Sequence, residues 1–395
     1  MALKKIDLPL EVVILLIGGM ALVITGSLLY AASHGAVPYY ENGFHGLLLV
    51  VFALQTMMMG KTPFGDIRRS RALLAAGVII AAVGIITCFV PTFTRLPRVL
   101  LLICFGPGGL VLLLQMCFAR DKLRTWIKYG GIFWHLSLGC STVYVFSMMI
   151  ALFLWKHSLL PTPMAAAVVL AYGLAVFYLA GVLRKVYRAY PESEIGHRKD
   201  GGLSADQAML LLMGIFMLIL GVMLIPVNLG LFPFSGSAQI GLLMVIFAVQ
   251  MLASGGTPIG PFPRSWLVIA LGFLFAALGI VSCIVPEILV PSLTVLVGSL
   301  NILGGFITLV KILSPRLRRS GGPRPAAAPV MKKLFAAQLT MNLLTIMFGT
   351  SMLIPNLIHG LVIGVILAAN GCVLLYLLHI LIALNRMQGE MGDAR

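Results

Sequence analysis

The sequence predicts an all-α, polytopic membrane protein with twelve transmembrane helices arranged as two parallel six-helix repeats. Three observations carry this prediction. Apolar runs of roughly 20 residues recur along the chain, each long enough to cross a hydrocarbon core about 30 Å thick. Of the 395 residues, 60% are hydrophobic and 10% charged, with a mean hydropathy of +1.05, more apolar surface than a soluble fold can bury. Finally, residues 46–91 return without a gap at 241–286. The runs are continuous and lack period-two alternation, so helices rather than barrel strands are expected.

In order, the spans are read as 8–32, 43–59, 72–90, 97–118, 129–155, 161–187, 206–228, 238–254, 265–285, 290–313, 332–353 and 358–385. The first is long, shows no small-residue cleavage site and has a counterpart opening the second half, which favours a retained membrane helix over a cleaved signal peptide. Spans 2 and 8 end at Gly60 and Gly255, followed by Thr62-Pro63 and Thr257-Pro258. Glycine permits a left-handed helix C-cap and proline forbids continuation, so each copy should be a stop and a tight turn. Arg69-Ser70 and Arg264-Ser265 then open spans 3 and 9, with serine as a candidate N-cap and arginine at lipid-headgroup depth.

The repeat organises the chain. In the gapless alignment of 46–91 with 241–286, 22 of 46 positions are identical, among them Gln55 with Gln250, Gly84 with Gly279, and Cys88 with Cys283. Such agreement points to internal duplication. Six spans per half is an even number, so the copies share one orientation and should relate by a two-fold axis along the membrane normal. The expected division is 1–190 for the first repeat, 191–205 for a polar cytoplasmic linker and 206–395 for the second. A Pro- and Gly-rich stretch, 314–333, reads as a further cytoplasmic loop.

The net charge of +16 is a topology signal rather than a nucleic-acid footprint. With the N-terminus inside, 25 of the Lys and Arg residues fall on the inner side and 3 (Arg95, Arg98, Lys156) on the outer. The positive-inside rule then places both termini in the cytoplasm, at an inner (plasma) membrane, with basic loops meeting the anionic lipid headgroups of the bilayer. The six cysteines lie in spans or at their edges, with no metal or haem spacing, and read as small buried hydrophobes.

"GKTPFGDIRRSR", residues 60–71, has the outline of a phosphate loop, but that motif needs a glycine five positions before Gly60, where Gln55 stands. The second copy also replaces Lys61 with Gly256 and Asp66 with Pro261. The expected role of Gly60, Thr62, Pro63, Arg69, Gly255, Thr257, Pro258 and Arg264 is therefore a pair of cytoplasmic hairpin turns.

Every acidic residue falls in a loop, a tail or the first turn of a span, which disfavours a carboxylate-driven symporter. Neutral polar groups remain: Gln55, Gln250, His135 and Gln338 are candidates for a polar cavity at the interface of the halves, or else are ordinary interhelical hydrogen-bonding groups. His135 and His379 lack the second pair that a bis-His haem site would need. No nucleophile has a base beside it, so the chain is read as non-enzymatic and without cofactor or metal.

The hairpins "GVIIAAVGIITCFVP…LLLICFGPGGLVLLL" and "GFLFAALGIVSCIVP…LTVLVGSLNILGGFITL" place glycines inside the helices and proline at the outer turn. This pattern resembles the hairpins of HdeD-like acid-resistance membrane proteins, here as two fused units, and implies an envelope-stress role without assigned chemistry. The six-plus-six layout and the turn with Gly60, Asp66, Arg68 and Arg69 resemble the major facilitator transporters, although Asp66 lies two residues later than that family places it. Two functional readings stay open. One is a non-enzymatic membrane protein with a structural, envelope-stress or partner-binding role. The other is a transporter of a neutral, apolar or anionic small solute, with a central pathway between the halves.

Overall fold

A computed structural model of the protein describes residues 8–66, 70–119, 126, 128–156, 160–190, 203–318, 329–354 and 357–393. Among these are twelve helices long and apolar enough to cross a membrane. They are α1 (Leu10–Ser33), α2 (Glu41–Met59), α3 (Arg71–Phe89), α4 (Arg95–Phe118), α5 (Ile132–Trp155), α6 (Thr162–Ala189), α7 (Ala205–Asn228), α8 (Gly236–Ser254), α9 (Trp266–Ile284), α10 (Val290–Arg318), α11 (Pro329–Leu353) and α12 (Gly360–Asp393). The chain is an all-α polytopic membrane protein, with each helix within a few residues of its expected place, except that α12 continues past 385 through a polar, proline-free tail.

The two turns named from sequence are small hairpins. Strand β1 (Lys61–Thr62) pairs with β2 (Gly65–Asp66), and β3 (Gly256–Thr257) with β4 (Gly260–Pro261). Gly60 and Gly255 cap their helices in the left-handed region, at φ 68° and 78°. The Thr62 hydroxyl donates to the Gly65 carbonyl at 2.8 Å, and Thr257 to Gly260 at 2.7 Å, so each threonine closes its own turn. Proline sits in the two-residue loop of each ladder, where no backbone donor is required. Ser70 and Ser265 accept from the backbone N–H groups of Leu73 and Val268, as N-caps do. Arg69 lies outside the described residues. The Arg264 guanidinium donates to the Leu8 carbonyl at 3.0 Å.

Two compact units emerge from the packing. The first comprises Met1–Leu203, Phe234–Gly255 and Pro263–Val290; the second Ser204–Pro233, Gly256–Phe262 and Pro291–Arg395. Helices α8 and α9 therefore pack in the first unit, with α2 and α3. Hydrogen bonds there are reciprocal: the Tyr40 N–H donates to the Ile284 carbonyl at 2.8 Å and the Ser235 N–H to the Phe89 carbonyl at 3.0 Å, and both members differ by 195 residues. Reciprocity of this kind is what a local two-fold axis produces. Asn42 and Ser237, also 195 apart, reach the carbonyls of Val90 and Val285 beyond the ends of α3 and α9.

Lipid tails are as apolar as leucine, so helices gain little from hydrophobic burial against one another and pair where small residues let backbones approach. In the first unit, a Cβ on Gly26 of α1 would stand 2.7 Å from the Leu170 nitrogen of α6, and one on Gly46 of α2 would strike the Gly84 carbonyl of α3. In the second, Gly221 of α7 meets α12 at Gly364 and Ala368 in the same manner. Gly181 of α6 has open space around it. Gly26→Leu is therefore expected to abolish monodisperse, folded protein in fluorescence-detected size exclusion, while Gly181→Leu should elute and melt like the parent.

Candidate functional site

Within the first unit, α1, α2, α4, α5, α6 and the β1–β2 hairpin line a partly open cavity of about 400 Å³. Its position follows from the tight pairs. Glycines hold α1 against α6 and α2 against α3, and Gly109 holds α4 against Ser147 of α5, leaving the space between the pairs to larger, less complementary side chains. The walls are mainly apolar and aromatic, including Phe52, Phe105, Tyr144 and Tyr172. Phe105 stands edge-on to both Phe52 and Tyr172, with ring centroids 5.3 and 6.1 Å apart. Ser147, also in the wall, gives its hydroxyl to the Phe105 carbonyl at 2.8 Å.

The charges gather at one end, where α1 begins and the β1–β2 hairpin lies. Glu11, in the first turn of α1, pairs through Oε1 with the Lys61 ammonium and accepts from the Tyr187 hydroxyl through Oε2 at 2.5 Å. One carboxylate thus joins α1, the hairpin and α6. Glu11 and Lys61 are mostly covered, at 17% and 28% side-chain exposure, whereas Asp66, across the hairpin from Lys61, is exposed. The hairpin itself is held from α4: Gln115 donates to the Phe64 carbonyl at 3.0 Å, and Gly108 leaves room for the Pro63 carbonyl.

Of the residues proposed from sequence, Gln55 lines this cavity, inside the first unit. His135 is exposed on α5 and bonds the Tyr178 hydroxyl of α6 through Nδ1 at 2.7 Å. Gln250 is half-buried on α8 in the first unit, and Gln338 half-buried on α11 in the second, where its carbonyl accepts from Asn342 at 2.7 Å. Sequence reasoning passed over Glu11, Tyr187 and Gln115. Glu11 was grouped with the acids of loops, tails and first turns, and the available signal was the coincidence of an acid, a lysine and a tyrosine at the same ends of three spans.

The two copies part company at this site. Thr62, Pro63, Gly65, Lys61 and Asp66 all line the cavity, but positions 195 residues on from Lys61 and Asp66 hold Gly256 and Pro261, so the charges of the hairpin occur in the first copy alone. The chain matches no family model, and neither curated proteins nor solved structures gave a match.

Removing one partner from a mostly covered ion pair strands the other, at a cost of about 1–3 kcal/mol. Glu11→Gln and Lys61→Met should each lower the melting temperature by several degrees. The double variant should lose less than the sum of the two, which a thermal-melt double-mutant cycle would read as a coupling of about 1 kcal/mol or more.

Proposed function

We propose that this integral membrane protein is a non-enzymatic transporter of a small, largely apolar solute, bound in the cavity of the first unit. The observation that carries this reading is the cavity itself: a void of about 400 Å³, aromatic within and charged at one end, inside a bundle of membrane-spanning helices. That volume falls within the range of small-molecule sites. Among the described residues, two carboxylates, Glu11 and Asp66, and one ammonium, Lys61, line the cavity, and aromatic faces attract cations, which supports a neutral or singly positive solute over an anion.

The rest of the proposal rests on sequence. The 25-to-3 division of basic residues supports an inner (plasma) membrane with both termini cytoplasmic and basic loops on anionic headgroups. The charged end of the cavity then faces the cytoplasm. The matching 46–91 and 241–286 stretches, whose helices and hairpins begin and end 195 residues apart, support origin by duplication.

Tetraphenylphosphonium and tetraphenylborate share a shape and differ in the sign of their charge. Titrated into the purified chain in nanodiscs, the cation should saturate a site that Val176→Trp, which fills the cavity, weakens at least tenfold. The anion should show no difference between parent and variant. Equal binding of the cation to both, or a saturable anion site lost in Val176→Trp, would contradict the reading.

A further inference from the structure

A second cavity, of about 230 Å³, lies at the other end of the same bundle. It is built from α1, α2, α5 and α6, four of the five helices that line the first cavity, and from the segment before α2. The two do not overlap on any helix. On α1 the first cavity reaches Leu22 and the second begins at Thr25; on α2 the boundary falls between Leu48 and His45. On α5 it falls between Ser147 and Ile150, and on α6 between Tyr172 and Val169. All four gaps are three residues, about 4.5 Å of helix rise, or less than one turn. The two cavities therefore abut along four shared helices, with one layer of buried side chains between them.

We propose that the two cavities are the halves of one conduit among α1, α2, α4, α5 and α6, closed by a septum one side chain thick. Leu22, Ile150, Val169 and Tyr172 form that septum, all at 8% exposure or less. They carry no charge, so closing depends on packing alone. Opening then requires only rotamer changes or a small shift of α5 and α6 rather than the breaking of ion pairs at membrane depth. The far vestibule has its own polar lining: Glu41 lies 3.6 Å from His45 and 3.4 Å from Arg98. Tyr39 adds a phenol beside Glu41, and burial, with the Glu41 charge, pushes it above its ordinary range. Both mouths thus offer carboxylates beside basic groups and phenols, with an apolar middle, the arrangement suited to an amphipathic solute that sheds water only at the septum. The conduit deepens the transporter reading and rests on it for its physiological role, but its geometry is testable without a solute.

The test uses the full chain with its six cysteines replaced, carrying either Gln55→Cys or His45→Cys, in right-side-out and inverted vesicles. The probe is a membrane-impermeant, positively charged methanethiosulfonate. Position 55 should react from one side only and position 45 from the other. Adding Tyr172→Ala, or independently Ile150→Ala, should raise the wrong-side rate at both positions at least tenfold. Reaction of both positions from the same side would overturn the proposal. So would unchanged sidedness in septum variants that elute and melt as folded protein. Loss of tetraphenylphosphonium binding with these labelling results intact would reject the solute class and leave the conduit standing; saturable binding with sidedness that no septum variant alters would do the reverse.

Discussion

The close approach of helix backbones at small residues is the constraint on which the rest of the structure depends. A bilayer withholds the hydrophobic drive that assembles soluble cores, so pairing must come from contact area and weak polar contacts. Glycines supply the contact: Gly26 against Leu170, Gly46 against Gly84, Gly109 against Ser147, Gly221 against Ala368. Each pair is close enough that one added methyl group would meet backbone or a buried side chain. Pairs made this tightly cannot also fill the space among themselves, and in the first unit that space is the cavity. The same economy of packing that joins α1 to α6 leaves Phe105, Tyr144 and Tyr172 lining a void rather than filling it.

The hairpin after α2 shows how one local motif can serve two ends. Its glycine cap, threonine closure and proline loop are fully explained by the need to stop a helix and reverse the chain, and all of these recur after α8. Lys61 and Asp66 add nothing to the turn, since the second copy closes equally well on Gly256 and Pro261. Their partners explain them instead. Lys61 meets Glu11, Glu11 meets Tyr187, and the three bind the start of α1, the hairpin and the end of α6 around the cavity's charged end. The hairpin's charges belong to one copy, since Gly256 and Pro261 stand where Lys61 and Asp66 would be.

Most of the fold was legible in the sequence, because its signals are local. Hydropathy located all twelve helices, Gly60 and Gly255 announced their caps, and Ser70 and Ser265 their N-termini. Packing of α8 and α9 with α2 and α3 was not legible, since it depends on contacts between segments nearly 200 residues apart. The site was legible in part. Gln55 was singled out for its polarity in an apolar run, and it does line a cavity, but one inside the first unit. Gln250 carries the same polarity on α8, and His135 is exposed with Tyr178, so residue type alone could not say which polar groups share a space. Glu11 was placed in the first turn of its span, which is where it lies, but its cover comes from the hairpin, a tertiary fact.

The central claim is that a solute occupies the space among α1, α2, α4, α5 and α6. An experimental structure of the full chain with tetraphenylphosphonium in nanodiscs tests it most directly. The account predicts density against Phe105 and Tyr172, on the Glu11 side of the septum. Density for the cation anywhere else in the protein, with this cavity empty or filled by lipid, would contradict it.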